Sequence, residues 1–359
     1  MLLGGAGLQP CDSTEKVSGF SRRGKLRIRA RLQPCRKHHE KSAFRRWSKK
    51  LSRFRPPALR PGDAIGIIAP ASAIKEDALI QGCETLTRMG YKPVYDDSIL
   101  KHDLYFAGTA ARRLQELHSM FQREDIRALL CARGGYGANY LVDGIDLNLI
   151  RKHPKIFVGY SDNTTLLTLL SDEANLTVFH GPMAAKDFAQ EDGVDLASWE
   201  SALAGAASWQ VTNSGAKGLV AGAAQGIFYG GCLPMLTATL GTRHEIQTKD
   251  TILFLEDIAS KPYQIDRMLI QLQQAGKFQG LRGIIFGEMN DCLQHPQQTY
   301  TLEEVVLRIV GKLGIPVAYG LRSGHVSQRN ITLPIGVPAA LVVTGDQAEL
   351  QFLESATTA

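Results

Sequence analysis

Short, almost uninterrupted apolar runs alternate with helical segments through the first half of the chain. The runs AIGIIA (64–69), ALLCA (128–132) and KIFV (155–158) leave little polar surface on either face of a strand. The intervening segments 75–89 and 111–122 carry apolar residues at helical spacing. Strands buried on both faces and separated by helices predict a parallel sheet covered by helices, so the predicted fold class is α/β.

The second half of the chain predicts a mixed sheet with more antiparallel pairing. Its apolar runs include 251–255 and 283–286, with helical spacing at 266–274 and 302–312. The last two runs, at 340–343 and 348–352, flank the turn Thr344-Gly345-Asp346-Gln347 and are expected to pair as antiparallel strands.

The 359 residues are enough for two domains with their own cores. Around residues 185–225 the periodic pattern gives way to Ala, Gly, Ser and Asp, so the domain connection is placed there. The predicted division is a basic, disordered extension at 1–58, an N-terminal α/β domain at 59–190, a connecting segment at 191–225 and a C-terminal β/α domain at 226–359.

The net charge of +6 arises from one end of the chain. Residues 1–60 hold 17 Lys/Arg against 3 Asp/Glu, whereas the remainder holds 24 against 32 and is mildly acidic. A nucleic-acid-binding role for the whole chain is therefore not indicated. A transit peptide, a nucleic-acid-binding arm and an upstream extension from a misassigned start codon all fit the basic segment, and the last is favoured. A chain starting at Ala58 is expected to fold and to keep its activity.

The six cysteines form no C-x-x-C pair and no zinc-like spacing. They are typical of reduced thiols in a cytoplasmic protein, and no metal or organic cofactor is predicted. No apolar run approaches the ~20 residues that a membrane-spanning helix requires.

A serine lies where the predicted strand at 155–158 turns into a helix, in Gly159-Tyr160-Ser161-Asp162-Asn163. In α/β sheets, ligands bind beyond the carboxyl ends of parallel strands. A sharp strand-to-helix turn projects a side chain there, as in the G-x-S-x-G nucleophile elbow, although Asn163 replaces the final glycine. The alternative is that Ser161 only caps the following helix.

A serine nucleophile needs a base and a group that orients the base. Two histidines, His180 and His325, follow apolar segments and stand beside glycine, although either could be an ordinary turn residue. The acid pair Glu256-Asp257 closes an apolar strand, where a charge needs a partner. A salt bridge to Arg267 is the structural alternative for that pair.

Several motifs along the chain together resemble the LD-carboxypeptidase family of serine peptidases, which also contains the microcin C immunity peptidases. In order, they are ARGGYG (132–137), PKIFVGYSDNT (154–164), HGPM (180–183), GGCL (230–233), LGT (240–242), ILFLEDI (252–258), YQIDRMLIQL (263–272), and GH with LPIG (324–336). The resemblance covers residues 59–355. One departure is Cys232, which stands where the family usually has asparagine.

The resemblance implies an amidotransferase-like, flavodoxin-like N-terminal domain and a swivelling C-terminal β/α domain. It implies a triad of Ser161, Glu256 and His325, with the backbone N–H groups of Gly135 and Asp162 as oxyanion hole. The implied reaction releases terminal D-alanine from murein tetrapeptide during cell-wall recycling in a bacterial cytoplasm, by a homodimer that needs no cofactor and no membrane.

Two other functions remain open from the sequence. An immunity-type peptidase would cleave an aminoacyl-nucleotide and would need an aromatic surface for the base, for which Trp199 and Trp209 are candidates. A non-catalytic muropeptide-binding protein is the other, although the presence of all three triad residues argues against it. Nucleic acid remains a possible partner only of the basic extension.

Overall fold

The computed structural model describes residues 53–293 and 295–359, so most of the predicted basic extension, residues 1–52, lies outside the described residues. The described strands are β1 (Ala64–Ile68), β2 (Lys92–Val94), β3 (Ile126–Cys131), β4 (Ile156–Gly159), β5 (Val178–His180), β6 (Trp209–Gln210), β7 (Lys217–Val220), β8 (Gly222–Cys232), β9 (Thr251–Glu256), β10 (Gly283–Gly287), β11 (Val317–Leu321), β12 (Leu333–Ile335), β13 (Pro338–Thr344) and β14 (Gln347–Phe352). The described α-helices are α1 (Glu76–Arg88), α2 (Ala110–Gln122), α3 (Leu147–Lys152), α4 (Thr164–Asp172), α5 (Leu196–Leu203), α6 (Leu233–Ala238), α7 (Pro262–Gln274) and α8 (Leu302–Val310).

The first sheet is parallel over most of its width. Its order is β12-β5-β4-β3-β1-β2, and all neighbours run parallel except β12, which joins β5 antiparallel. Strands β1, β3 and β4 are almost wholly buried. The predicted α/β class with a parallel sheet is therefore confirmed. Because β3 and β4 are parallel neighbours, the loops that follow them emerge side by side at one edge of the sheet.

The second sheet mixes both strand directions. Its order is β13-β8-β9-β10-β11-β7-β14-β6, with β8 to β11 parallel and the other neighbours antiparallel. Strands β13 and β14 also pair with each other, as the turn at 344–347 predicted, and this pairing closes the sheet on itself. No helix within the described ranges has the length and apolar character that crossing a membrane requires.

Two glycines allow the end of β8 to lie close to its neighbours, β9 at Gly230 and the start of α4 at Gly231. An added methyl group would lie 2.0 Å from the Phe254 carbonyl oxygen at Gly230, and 2.8 Å from the side chain of Thr164 at Gly231. The φ angles of Gly230 and Gly231 are +128° and +148°, values that residues with a side chain rarely adopt. The Cys232 N–H donates to Thr164 Oγ1 at 3.1 Å. The turn that carries Ser161 is thereby held against the second sheet.

The described chain makes specific contacts before residue 59, within the segment predicted to be disordered. Arg53 donates to Ser171 O at 2.9 Å and forms an ion pair with Asp172 at 3.0 Å. Phe54 exchanges backbone hydrogen bonds with Asn175 and Thr177. The body that the structure describes therefore already includes residues 53–58.

Loss of residues 53–58 is expected to lower the free energy of unfolding without changing the catalytic rate. Asp172 is largely buried, which raises its pKa, and Arg53 and the Tyr229 hydroxyl compensate its charge. Loss of one partner of such a pair typically costs about 3 kcal/mol. A chain starting at Leu59 should therefore melt at lower temperature than one starting at Arg53, with kcat unchanged.

The matched variants are Arg53→Ala and Arg55→Ala in the longer chain. Arg55 pairs with Glu354 at a more exposed position, so its loss should cost at most about 1 kcal/mol. Equal melting temperatures for the two truncated chains would show that the contacts of residues 53–58 contribute little.

Candidate active site

Ser161 occupies a strained turn between β4 and α4. Its φ is +63°, a region that residues other than glycine seldom adopt. Such strain typically costs about 1–3 kcal/mol and concentrates at functional turns. The single 3₁₀ turn Ser161–Asn163 leads into the helix, and the N-cap residue is Asn163, whose side chain makes no capping hydrogen bond. The alternative that Ser161 caps the helix is therefore wrong.

The loop after β3 lies directly against Ser161. A methyl group added at Gly134 would come within 2.7 Å of Ser161 Cβ, 2.9 Å of its Oγ and 3.5 Å of the Asp162 nitrogen. Gly135 has a φ of +99°, and a methyl group there would lie 2.3 Å from Ser72 Oγ. Glycine at 134 lets the loop backbone approach Ser161, and glycine at 135 lets it pass close to Ser72. A loop backbone this close to Ser161 is what an oxyanion hole at Gly135 and Asp162 would need.

Arg113 and the side chain of Asp162 hold this loop in place. Arg113 is 1% exposed, and its Nη1 donates to Pro70 O at 2.7 Å and to Gly137 O at 2.8 Å. Asp162 Oδ2 accepts the Ala138 N–H at 2.7 Å, and burial raises the pKa of Asp162 to about 6. Neither the role of Arg113 nor that of the Asp162 side chain was predicted from the sequence, because nothing in the local pattern marks either side chain as a loop contact.

Glu256 ends β9 and contacts His325 through two hydrogen bonds. Its Oε2 accepts from His325 Nδ1 at 2.7 Å and from the His325 backbone N–H at 3.0 Å. Glu256 is 1% exposed. Burial alone would raise the pKa of this carboxyl group, but the charge and hydrogen bond of His325, together with His180, hold it well below its usual range.

His325 contacts both Glu256 and Tyr160, the residue before Ser161. Gly324 allows the first contact, because a methyl group at its φ of +94° would lie 2.6 Å from the Glu256 carboxylate carbon. The imidazole packs edge-on against the ring of Tyr160, with 5.1 Å between ring centres. Since Nδ1 is engaged by Glu256, Nε2 is the nitrogen left to serve as a base.

His180, the other candidate base, lies on the opposite side of the same carboxylate. It is completely buried, and its Nε2 lies 3.7 Å from Glu256 Oε1. Its Nδ1 is 2.9 Å from Ser323 Oγ. Both histidines singled out in the sequence therefore meet at Glu256, although the chain separates them by well over one hundred residues.

The second acid of the pair has a different environment. Asp257 Oδ1 accepts the Ile258 N–H at 2.8 Å, and burial raises the pKa of Asp257. Arg267 instead lies over the ring of Tyr263, 5.9 Å from its centre. Among the described residues, the salt bridge considered between the acid pair and Arg267 is not formed.

Cys232, Glu256 and His325 form a group whose ligand atoms all lie within 4.8 Å of one another. The group arises because Cys232 and Glu256 are register partners on β8 and β9, which no spacing along the sequence reveals. It fits a resident metal poorly. Burial raises the pKa of the Cys232 thiol well above its usual value, so this side chain is a neutral thiol in this structure. Glu256 Oε2 is already occupied by His325.

Two family models match the described body. Residues 65–181 match the LD-carboxypeptidase N-terminal domain, and residues 225–341 match the LD-carboxypeptidase C-terminal domain. A probable murein peptide carboxypeptidase of Bacillus subtilis is 39% identical over 80% of this chain and 91% of its own length. The murein tetrapeptide carboxypeptidase of Pseudomonas aeruginosa is 31% identical over 77% of this chain and 92% of its own.

Solved structures give the same picture of the fold. The muramoyltetrapeptide carboxypeptidase of Oxalobacter formigenes superposes with a TM-score of 0.72 at 27% identity, covering 82% of this chain and all of that one. The microcin C7 self-immunity protein MccF without ligand superposes with a TM-score of 0.78 at 24% identity, covering 85% of this chain and all of that one. At that identity the second likeness concerns the fold alone.

Proposed function

The chain belongs to the LD-carboxypeptidase family, and from that premise we propose that it is a serine carboxypeptidase that releases terminal D-alanine from murein tetrapeptide. The scissile bond joins the L-configured centre of the third residue to D-alanine. The observation that carries the proposal is the 2.7 Å hydrogen bond between buried Glu256 and His325, beside a serine in a strained turn. Two relatives named murein peptide and murein tetrapeptide carboxypeptidase support the substrate class.

In the proposed mechanism Ser161 is the nucleophile. His325 Nε2 takes the Ser161 proton as Oγ attacks the carbonyl carbon, and Glu256 stabilises the imidazolium that forms. His325 then gives the proton to the nitrogen of the departing D-alanine. Water, deprotonated by His325, hydrolyses the acyl-enzyme and frees the tripeptide.

We assign to the N–H groups of Gly135 and Asp162 the role of donating hydrogen bonds to the negatively charged oxygen of the tetrahedral intermediate. The close approach of the glycine loop to Ser161 Oγ supports this assignment. Arg113 and the Asp162 carboxylate fix the loop from behind, so its donors are oriented before substrate arrives. Preorganised donors of this kind typically contribute about 10²–10³ in kcat each.

The aminoacyl-nucleotide alternative loses Trp199, one of its two sequence candidates for a base-stacking surface. Trp199 is 1% exposed and packs edge-on against Phe188. Trp209 stacks on Phe352 with 5.0 Å between ring centres. The buried ring of Trp199 therefore offers no free face to a nucleobase, whereas Trp209 is partly exposed and has one face covered by Phe352.

We further propose a cellular compartment, a domain assignment and an oligomeric state for the enzyme. The unpaired thiols of Cys83, Cys131, Cys232 and Cys292 suit a reducing cytoplasm, where the enzyme would act in peptidoglycan recycling. We assign the first sheet to an amidotransferase-like domain and the second to the swivelling domain. The predicted boundaries do not follow the sheets throughout, because β12, in the predicted C-terminal domain, joins the first sheet, and β6 and β7, in the predicted connecting segment, join the second. A homodimer, implied by the family resemblance, is testable by light scattering.

The test is parallel incubation with murein tetrapeptide and an acylated aminoacyl-nucleotide, followed by mass spectrometry. Tripeptide and free D-alanine are expected from the first and no product from the second, with the rate unchanged by EDTA. In heavy-oxygen water, the label should enter the tripeptide carboxylate and not D-alanine. A tetrapeptide ending in L-alanine is the matched control and should persist. Cleavage of the nucleotide alone would overturn the proposal.

A further inference from the structure

The catalytic carboxylate candidate has one oxygen that the triad does not use. Glu256 Oε2 receives both hydrogen bonds from His325, whereas Oε1 is buried and has no hydrogen-bond partner among the described residues. A buried charged oxygen without a donor typically costs more than a hydrogen bond contributes. The polar atom that faces it is His180 Nε2 at 3.7 Å, which also lacks a partner.

The other nitrogen of His180 determines where its protons lie. Ser323 Oγ donates to the Ile331 carbonyl at 2.7 Å, so its single proton is used there. Ser323 Oγ must then accept from His180 Nδ1 at 2.9 Å. An unprotonated Nε2 would point its lone pair at a carboxylate oxygen in a dry interior, so the geometry assigns a proton to Nε2. If the hydroxyl turns to His180 instead, the neutral ring carries its proton on Nε2. In both arrangements Nε2–H faces Oε1.

We propose that His180 is a positioning residue for the triad, whose Nε2–H holds Glu256 Oε1 and keeps the carboxylate ionised and directed at His325. The order of contacts is then Ser161, His325, Glu256, His180 and Ser323. The separation of 3.7 Å exceeds a hydrogen bond, and hydrogen bonds at catalytic sites commonly shorten only in the substrate complex. This inference rests on the proposed triad.

Two substitutions separate this role from packing. In His180→Gln the side-chain amide nitrogen reaches the place of Nε2 and can still donate to Oε1. In His180→Asn the shorter amide reaches only the place of Nδ1, so the contact with Ser323 can persist while the donor to Glu256 is lost. Both replace a completely buried ring by a smaller amide, so both should lose comparable stability.

The expected result is a difference in kcat between them. A hydrogen bond to a charged group is typically worth about 10- to 100-fold in rate, so His180→Asn should lower kcat by that factor. His180→Gln should stay within about threefold of the wild type. KM for murein tetrapeptide should stay within about twofold in both, because His180 is buried beneath the carboxylate. Equal kcat values for the Asn and Gln variants would overturn the inference.

A second measurement does not depend on turnover or on the variants being stable. Long-range nitrogen–proton NMR of the wild-type protein should find His180 Nε2 protonated, with the signal assigned by its absence in His180→Gln or by selective labelling. An unprotonated Nε2 would overturn the inference. If the wild type fails to cleave murein tetrapeptide, the proposed function fails, while this spectrum still decides the position of the proton.

Discussion

A Ser161→Ala protein is expected to lose turnover of murein tetrapeptide, with kcat lowered by about 10⁶-fold. Without Oγ no acyl-enzyme can form, and His325 has no hydroxyl proton to take. The residual rate would come only from water attacking substrate bound at the loop of Gly135. Steady-state assays with purified protein measure the fall, and intact-protein mass after a brief exposure to substrate should find no acyl adduct.

The matched control is Ser171→Ala in α4, the helix that follows the turn of Ser161. Ser171 is buried, and its hydroxyl has no hydrogen-bond partner among the described residues, so kcat should be unchanged. Ser161→Gly adds a second check, because glycine adopts a φ of +63° without strain. That variant should be as inactive as Ser161→Ala and about 1 kcal/mol more stable than it. Wild-type-like turnover by either Ser161 variant would remove the serine from the mechanism.

The parts of the site that sequence could predict are those written in short local patterns. Buried parallel strands are rich in apolar residues, so the apolar runs of β4 and β9 predicted where these strands lie. The serine and the acids that follow the runs predicted where the strands end. A charged or polar residue soon after such a run needs an explanation, which is why Glu256 and Ser161 stood out. The motifs around them then identified the family.

The interface between the two sheets could not be predicted in the same way. Strand β8 consists largely of Gly, Ala and Gln in its first half, a composition that resembles a loop. Its pairing depends on partners far along the chain, and its glycines matter because of Thr164 and Phe254, which approach them in space. The same holds for β6 and β7, which lie within the predicted connecting segment and yet belong to the second sheet.

The residues that surround the triad were missed for a related reason. Arg113 lies in an ordinary amphipathic helix, where an arginine normally faces water, and only the fold reveals that it is buried beneath two loops. His180 was weighed against His325 as a rival base. The structure instead brings both rings to one carboxylate, because β5 and the segment after β11 end at the same place. A sequence pattern ranks candidates singly and cannot detect that two of them share a partner.

Glu256→Gln is expected to lower kcat by about 10⁴-fold, less than the loss of Ser161 itself. The amide offers one acceptor and one donor where the carboxylate offers two acceptors. If its oxygen faces His325 Nδ1–H, its NH₂ group meets the N–H of His180. If the amide is reversed, its NH₂ group faces Nδ1, so the proton of His325 moves to Nε2, which can then no longer accept from Ser161. Either arrangement weakens the base while leaving the serine and the loop of Gly135 intact.

The control for this substitution is the neighbouring acid. Asp257→Asn makes the same change of charge one residue along the chain, but Asp257 bonds its own loop at Ile258 rather than His325. Its kcat should stay within about threefold of the wild type. Residual rates that are equal in Glu256→Gln and Ser161→Ala would contradict the assigned order of importance. A larger fall for Asp257→Asn than for Glu256→Gln would transfer the orienting role to the second acid. The 2.7 Å contact between Glu256 and His325 leads us to expect neither result.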